Sequence, residues 1–160
     1  MERFHNKVVV ITGAGSGIGA AAAQRFAKEG ASVVLVGRTQ EKLEKVAATL
    51  PQGKHLVAPC DVSVAEEVAA LARRVEDEYG RADVLVNNAG MIVQGRIHEI
   101  DLQDWDRLMK TDLNGVFYGV HYFMPALLKT KGNVINISSV SGLGGDWGMS
   151  VYNAAKGAIT

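Results

Sequence analysis

Short β-branched runs alternate along the chain with longer stretches whose apolar residues recur at helical spacing. Lys7 to Thr12 (KVVVIT), Ser32 to Val36 (SVVLV), His55 to Pro59 (HLVAP), Ala82 to Asn87 (ADVLVN) and Asn133 to Ser138 (NVINIS) predict strands. Helices are expected over Gly17 to Lys28 and Gln40 to Leu50. A third is expected to start from Ser63-Val64-Ala65-Glu66, which has the form of a capping box, and to run to about Tyr79. A long helical region follows from about Leu102 to Lys129, with Asp101 as a candidate N-cap and Pro125 expected to kink the last turns. A Gly-rich loop, Val140 to Gly148, leads to a last helix that begins near Ser150. This βαβαβαβαβ order predicts an α/β fold: a doubly wound parallel sheet with helices on both faces. The strands are continuous apolar runs, as expected when both faces of the sheet are buried.

Composition narrows the class without naming a function. The 160 residues fit one domain with a real core, 48% of them hydrophobic and 21% charged. Lys plus Arg equals Asp plus Glu at 17 each, so no global basic field invites nucleic acid or anionic lipid. No apolar run reaches the roughly 20 residues of a membrane span. The N-terminal residues are polar and run into a strand, unlike a signal peptide. The lone cysteine, Cys60, cannot form an internal disulfide and reads as strand-end packing. A reducing cytoplasm is the expected location. His5, His55, His98 and His121 are dispersed and carry no metal-ligand spacing.

Chemistry concentrates at two places. Thr12-Gly13-Ala14-Gly15-Ser16-Gly17-Ile18-Gly19 lies between the first strand and the first helix. That junction presents free backbone N–H groups and a helix N-terminus to a dinucleotide pyrophosphate, and glycine lets the phosphate approach. The second place is Tyr152-Asn153-Ala154-Ala155-Lys156. Residues four apart share a helix face, and an ammonium beside a phenol favours the phenolate. A tyrosine tuned in this way can exchange a proton with an alcohol oxygen.

Thr12 with Gly13, Gly17 and Gly19 resembles the Thr-Gly-x-x-x-Gly-x-Gly fingerprint of the short-chain dehydrogenases/reductases, and further motifs follow in the order of that family. Asn87-Asn88-Ala89-Gly90 matches its Asn-Asn-Ala-Gly signature. Asn114 lies in the long helix where the family keeps a catalytic Asn, and Ser139 stands thirteen residues before Tyr152, the family spacing, which Ser138 does not meet. The resemblance implies roles. Tyr152 is the general acid or base, and Lys156 lowers its pKa and holds the nicotinamide ribose. Ser139 binds the substrate oxygen, and Asn114 holds a helix kink and a water relay. It implies a cofactor cradle of Gly13, Ser16, Gly17, Ile18 and Gly19, with Asp61 and Val62 at the adenine and Asn88, Ala89 and Gly90 alongside.

At the end of the second strand, where an NAD-selective fold places an acid, stand Gly37, Arg38 and Thr39. Arg38 can pair with a 2′-phosphate, so NADP(H) is expected over NAD(H), although Ser16 puts no basic residue in the glycine loop. Met91, Ile92, Val93, Leu143, Trp147 and Met149 are expected to flank an apolar pocket for a small ketone or secondary alcohol, with a polyol unexpected. The general look is that of 3-oxoacyl-carrier-protein reductases and their alcohol-oxidising relatives. Neither nucleic acid nor membrane is an expected partner, and a homo-oligomer, dimer or tetramer, is.

The family continues beyond this point. Residues 1–160 are therefore expected to be a dinucleotide-binding domain truncated before its last two strands, with order 3-2-1-4-5 and the fifth strand at an edge. The last helix, alone, would be marginal. A catalytically inactive nucleotide-binding or self-associating fragment is the alternative reading.

Overall fold

The computed structural model describes residues 2–160. Five strands, β1 (Val8–Thr12), β2 (Ser32–Gly37), β3 (Leu56–Pro59), β4 (Val84–Asn87) and β5 (Asn133–Asn136), form one parallel sheet in the order β3-β2-β1-β4-β5. The chain starts in the middle strand and winds outward both ways. This sheet is the expected doubly wound α/β architecture, with β5 at its edge.

Alternate residues of each strand feed opposite cores. Val8, Val10, Val34, Val36 and Leu85 point to one face. There they meet α3 (Ala65–Tyr79) through Val68, Leu71 and Val75, and α5 (Gly115–Thr130) through Phe123 and Leu127. Val9, Ile11, Val33, Leu35, Val84 and Val86 point to the other face. They meet the alanines of α1 (Gly17–Lys28) and Leu43 of α2 (Gln40–Ala47). Small residues at Ala23 and Ala27 let α1 lie close against the sheet. β1 is buried along its whole length, which explains its unbroken apolar run.

Three local expectations change. The capping box at Ser63 does not form: Val64 is the N-cap of α3, without a side-chain cap. The Ser63 N–H and hydroxyl instead donate to Asp61 Oδ1 at 2.9 and 2.7 Å. Asp61 outcompetes the helix end because its carboxylate closes a local turn two residues on. α5 runs through Pro125 to Thr130, and the long helix is also irregular upstream of it. That irregularity is a π-helical segment, Met109–Asn114, between α4 (Leu102–Leu108) and α5. The strand β5 is shorter than expected, but the Ile137 N–H still donates to Asn87 O at 2.9 Å. Asp101 caps α4 as expected, accepting from Gln103 N–H at 2.7 Å.

Candidate active site

The site lies at the carboxyl ends of β1, β4 and β5, where a doubly wound sheet exposes strand ends beside helix N-termini. The β1 end is locked to the β4 end by one side chain. Thr12 Oγ1 accepts from Asn88 N–H at 2.9 Å and from Ala89 N–H at 3.0 Å. Asn88 Nδ2 donates back to Thr12 O at 2.9 Å. Thus Asn88, expected at the cofactor, spends its side chain on joining the two loops. Sequence reading missed Thr12 in this structural part; a hydroxyl at the end of a fully buried strand was the available signal.

The glycine loop fits a dinucleotide. Gly13 and Gly17 have φ of +65° and +54°, a region that favours glycine. A side chain at Gly13 would meet Asn88 Nδ2 at 2.8 Å, whereas the space above Gly17 is open. The Ser16 hydroxyl makes no cap bond, and the first turn of α1 carries no acidic residue to repel phosphate. Gly15, Arg38, Lys42, Asp61, Val62 and Gly90 line the adjoining cleft. Lys42, from the first turns of α2, went unnoticed in the sequence. Ile18 is solvent-exposed at the start of α1. Cys60 also borders the cleft, and burial pushes its thiol up to about 12, followed by the charges of Glu67 and Asp61.

The Tyr–Lys pair sits on α6 (Ser150–Ile159). Lys156 is buried, with Nζ 5.6 Å from the Tyr152 ring centroid. Nζ donates to Ile137 O at 3.1 Å, and Ser138 Oγ donates to Lys156 O at 3.2 Å. These bonds fasten α6 to the end of β5. They also occupy Ser138, leaving Ser139 as the neighbouring serine at the turn. Ser139 Oγ accepts from Ser141 N–H at 3.2 Å, at the head of the 3₁₀ turn Val140–Gly142 that packs on α6. An accepting hydroxyl keeps its own proton free to donate.

Asn114 ends the π-helical segment, and no side-chain hydrogen bond is formed by it among the described residues. The long-helix partner of Lys156 is Asp112, whose Oδ2 lies 3.3 Å from Nζ. Asp112 is fully buried, and burial pushes its carboxyl above the usual range against the pull of Met91 N–H and Lys156. Sequence reading passed over it. The signal was present: Leu108, Asp112, Gly115, Gly119 and Phe123 are all buried along one helical face, and a carboxylate there is out of place.

The apolar pocket expected from six residues forms only in part. Met91 and Val93 pack with Tyr152 around Leu108 and Val151. Ile92, Leu143 and Trp147 are exposed, because their loops have nothing to pack against. Met149 precedes α6 and accepts from Asn153 N–H through its carbonyl. The cleft between the two loops is lined by Arg96, Ile97, His98, Asp146, Trp147 and Ser150, and most of its lining surface is apolar. Among the described residues no group of His, Cys, Asp or Glu could hold a metal ion, and no helix is long and apolar enough to cross a membrane.

Comparison with known proteins agrees with this geometry. The family model described as short chain dehydrogenase matches residues 7–160. The meso-2,3-butanediol dehydrogenase of Serratia marcescens is 51% identical over 157 residues, which are 98% of this chain and 62% of that protein. Levodione reductase superposes with a TM-score of 0.94 at 36% identity, over 98% of this chain and 63% of its own. A short chain dehydrogenase/reductase from Burkholderia phymatum in complex with NAD gives 0.92 at 34% identity, over 99% of this chain and 58% of its own. The chain spans about three fifths of the length of these proteins. In fold, motif order and sequence alike, the chain belongs to the short-chain dehydrogenase family.

Proposed function

We propose that the protein carrying this chain is an oxidoreductase that moves a hydride between NADP(H) and a small ketone or secondary alcohol, with Tyr152 as proton donor and acceptor. The observation that carries this reading is the Tyr152–Lys156 pair, buried at Lys156 and fastened to the end of β5 beside Ser139. A bound nicotinamide coenzyme would supply the hydride donor or acceptor. The Tyr152 hydroxyl gives its proton to the forming alkoxide in reduction and takes one from the alcohol in oxidation. The Lys156 ammonium stands beside the Tyr152 ring, with Nζ 5.6 Å from its centroid. Ser139 donates to the substrate oxygen and stabilises charge developing there. The role of Asn114, holding the helix irregularity and a water relay, is supported by the π-helical segment that ends at it.

The coenzyme preference rests on Arg38, now joined by Lys42 at the same cleft; two cations facing a 2′-phosphate favour NADP(H). The name of the Serratia relative makes a small vicinal diol the first alcohol to test. A cytoplasmic homo-oligomer fits the buried lone cysteine and the exposed Phe117 and Leu128 on α5.

The test is Tyr152→Phe in the complete protein, with 2,3-butanediol and either coenzyme. Turnover is expected to fall by about 10²–10⁴ while coenzyme still binds. Normal turnover by the variant would overturn the reading. A higher kcat/KM with NADH than with NADPH would remove its coenzyme part.

A further inference from the structure

Ser139 follows β5 and Tyr152 lies in the first turn of α6, so one connection separates the group that binds the substrate oxygen from the group that moves its proton. That connection contains Gly142, Gly144, Gly145 and Gly148. Residues 143–148 are all exposed, the large side chains of Leu143 and Trp147 among them, so no apolar packing orders this stretch. Glycine also loses the most backbone freedom when it is fixed. The order of the connection therefore rests on polar bonds, and three of them meet at Asp146.

The carboxylate of Asp146 reaches back towards Ser139. Its Oδ2 accepts from the hydroxyl of Ser141, which is buried. The Ser141 N–H in turn donates to Ser139 Oγ at 3.2 Å. The carbonyl of Asp146 reaches forward towards Tyr152. It accepts from Met149 N–H at 3.2 Å and, at a longer 3.4 Å, from Nδ2 of Asn153, the residue after Tyr152. One residue thus holds both ends of a glycine-rich connection. A hydrogen bond to a carboxylate is roughly twice as strong as one between neutral groups, which suits an anchor on a loop with no core of its own. Arg96 and His98, the basic residues that line the same cleft, stand 3.7 Å from Glu99. The facing wall of the cleft adds one further tie, from Gly95 N–H to Gly148 O at 2.9 Å.

We propose that Asp146 is a positioning residue for the reaction proposed above: bonded to Ser141 through its carboxylate and to Met149 and Asn153 through its carbonyl, it fixes the Ser139 hydroxyl relative to Tyr152. The proposal rests on that reading of Ser139 and Tyr152, and goes beyond it.

The test compares Asp146→Ala, Ser141→Ala and the double variant in the complete protein, with Tyr152→Phe alongside. The substrate is 2,3-butanediol, with whichever of NAD and NADP the wild type uses better. Each single variant removes the same bond from one side. Each is expected to lower kcat by up to about 10²-fold, as a small misplacement of reacting groups does. The double variant is expected to match the single ones, because losses that act through one bond do not add. Asp146→Asn keeps an acceptor for the Ser141 hydroxyl and should recover part of the loss. Coenzyme affinity, read by fluorescence titration, should stay at the wild-type value, since neither Ser141 nor Asp146 lines the coenzyme cleft. Hydrogen exchange over residues 141–149 should quicken in both single variants, whatever substrate is supplied. Wild-type kcat or wild-type exchange in Asp146→Ala overturns the proposal. So does a higher KM for the alcohol at unchanged kcat, the mark of a carboxylate that only binds substrate. Additive losses in the double variant overturn it as well. Should the buried Ser141→Ala fail to fold, the two Asp146 variants decide alone. An inactive Tyr152→Phe beside a normal Asp146→Ala defeats this inference alone, whereas an active Tyr152→Phe defeats the function itself.

Discussion

Thr12 shows how one atom can organise a site. Its hydroxyl oxygen accepts from two consecutive backbone N–H groups, at Asn88 and Ala89, so the glycine loop and the β4 exit move as one body. Thr12→Val keeps the shape and removes the acceptor. Two N–H groups then lose their partner, and each such loss costs about 1–3 kcal/mol. Chemical denaturation should show a loss of about 2 kcal/mol or more, with weaker coenzyme binding. At this scale the sequence was uneven. Tyr152 and Lys156 were legible because helical spacing alone puts them on one face. Asp112 was not, because a carboxylate written between polar Thr111 and Asn114 reads as surface until its face of the helix is known to be buried.

At the scale of elements, the long helix after β4 is the informative one. Its glycines are fitted rather than permissive: a Cβ on Gly119 would lie 2.5 Å from Asn87 Oδ1, in a strand that is itself buried. Glycine to alanine inside a helix normally gains roughly 1 kcal/mol. Gly119→Ala should instead lose about 1–3 kcal/mol, as overpacking does. Gly157 on α6 is the control, since its nearest contact would be Gly142 O at 3.7 Å, and Gly157→Ala should be neutral or stabilising. Thermal melting of the two variants separates the cases. The strands and helices of this chain were readable from their periods. The capping box was not, because Asp61 takes up the N–H and hydroxyl of Ser63, and the π-helical segment follows from no apolar period.

For the whole molecule, the N-terminal segment is tied to the end of α1 by charge. Glu29, just past α1, is bonded by Arg3 and Arg25, and these guanidiniums, Arg3 first, hold its carboxyl at about 2. Phe4 reinforces the tie by packing edge-on to Phe26 at 4.8 Å. A carboxyl held below its unfolded value of about 4.3 stabilises the fold above that pH, and the contribution is lost as pH falls towards 2. Glu29→Gln should therefore melt lower than wild type at neutral pH. The difference should shrink below about pH 4.3 and vanish near pH 2. A difference that persisted unchanged at pH 2 would contradict the pairing. Asp83 plays a similar part under β1. Burial raises its carboxyl, but Arg81, Val8 N–H and Lys7 outweigh burial and hold it below the usual range.

The sequence by itself determined the architecture, the glycine cradle and the Tyr152–Lys156 pair. Each rests on local rules: apolar period, the φ freedom of glycine, and helical spacing over one turn. The tertiary structure alone decided what those groups touch. It brought Lys42 to Arg38, bound Thr12 to Asn88, spent Ser138 on α6 and set Asp112 against Lys156. The bonded pairs among these stand 18 to 76 positions apart. Most depend on how separate helices and strands pack around one sheet, and no window along the chain records that geometry.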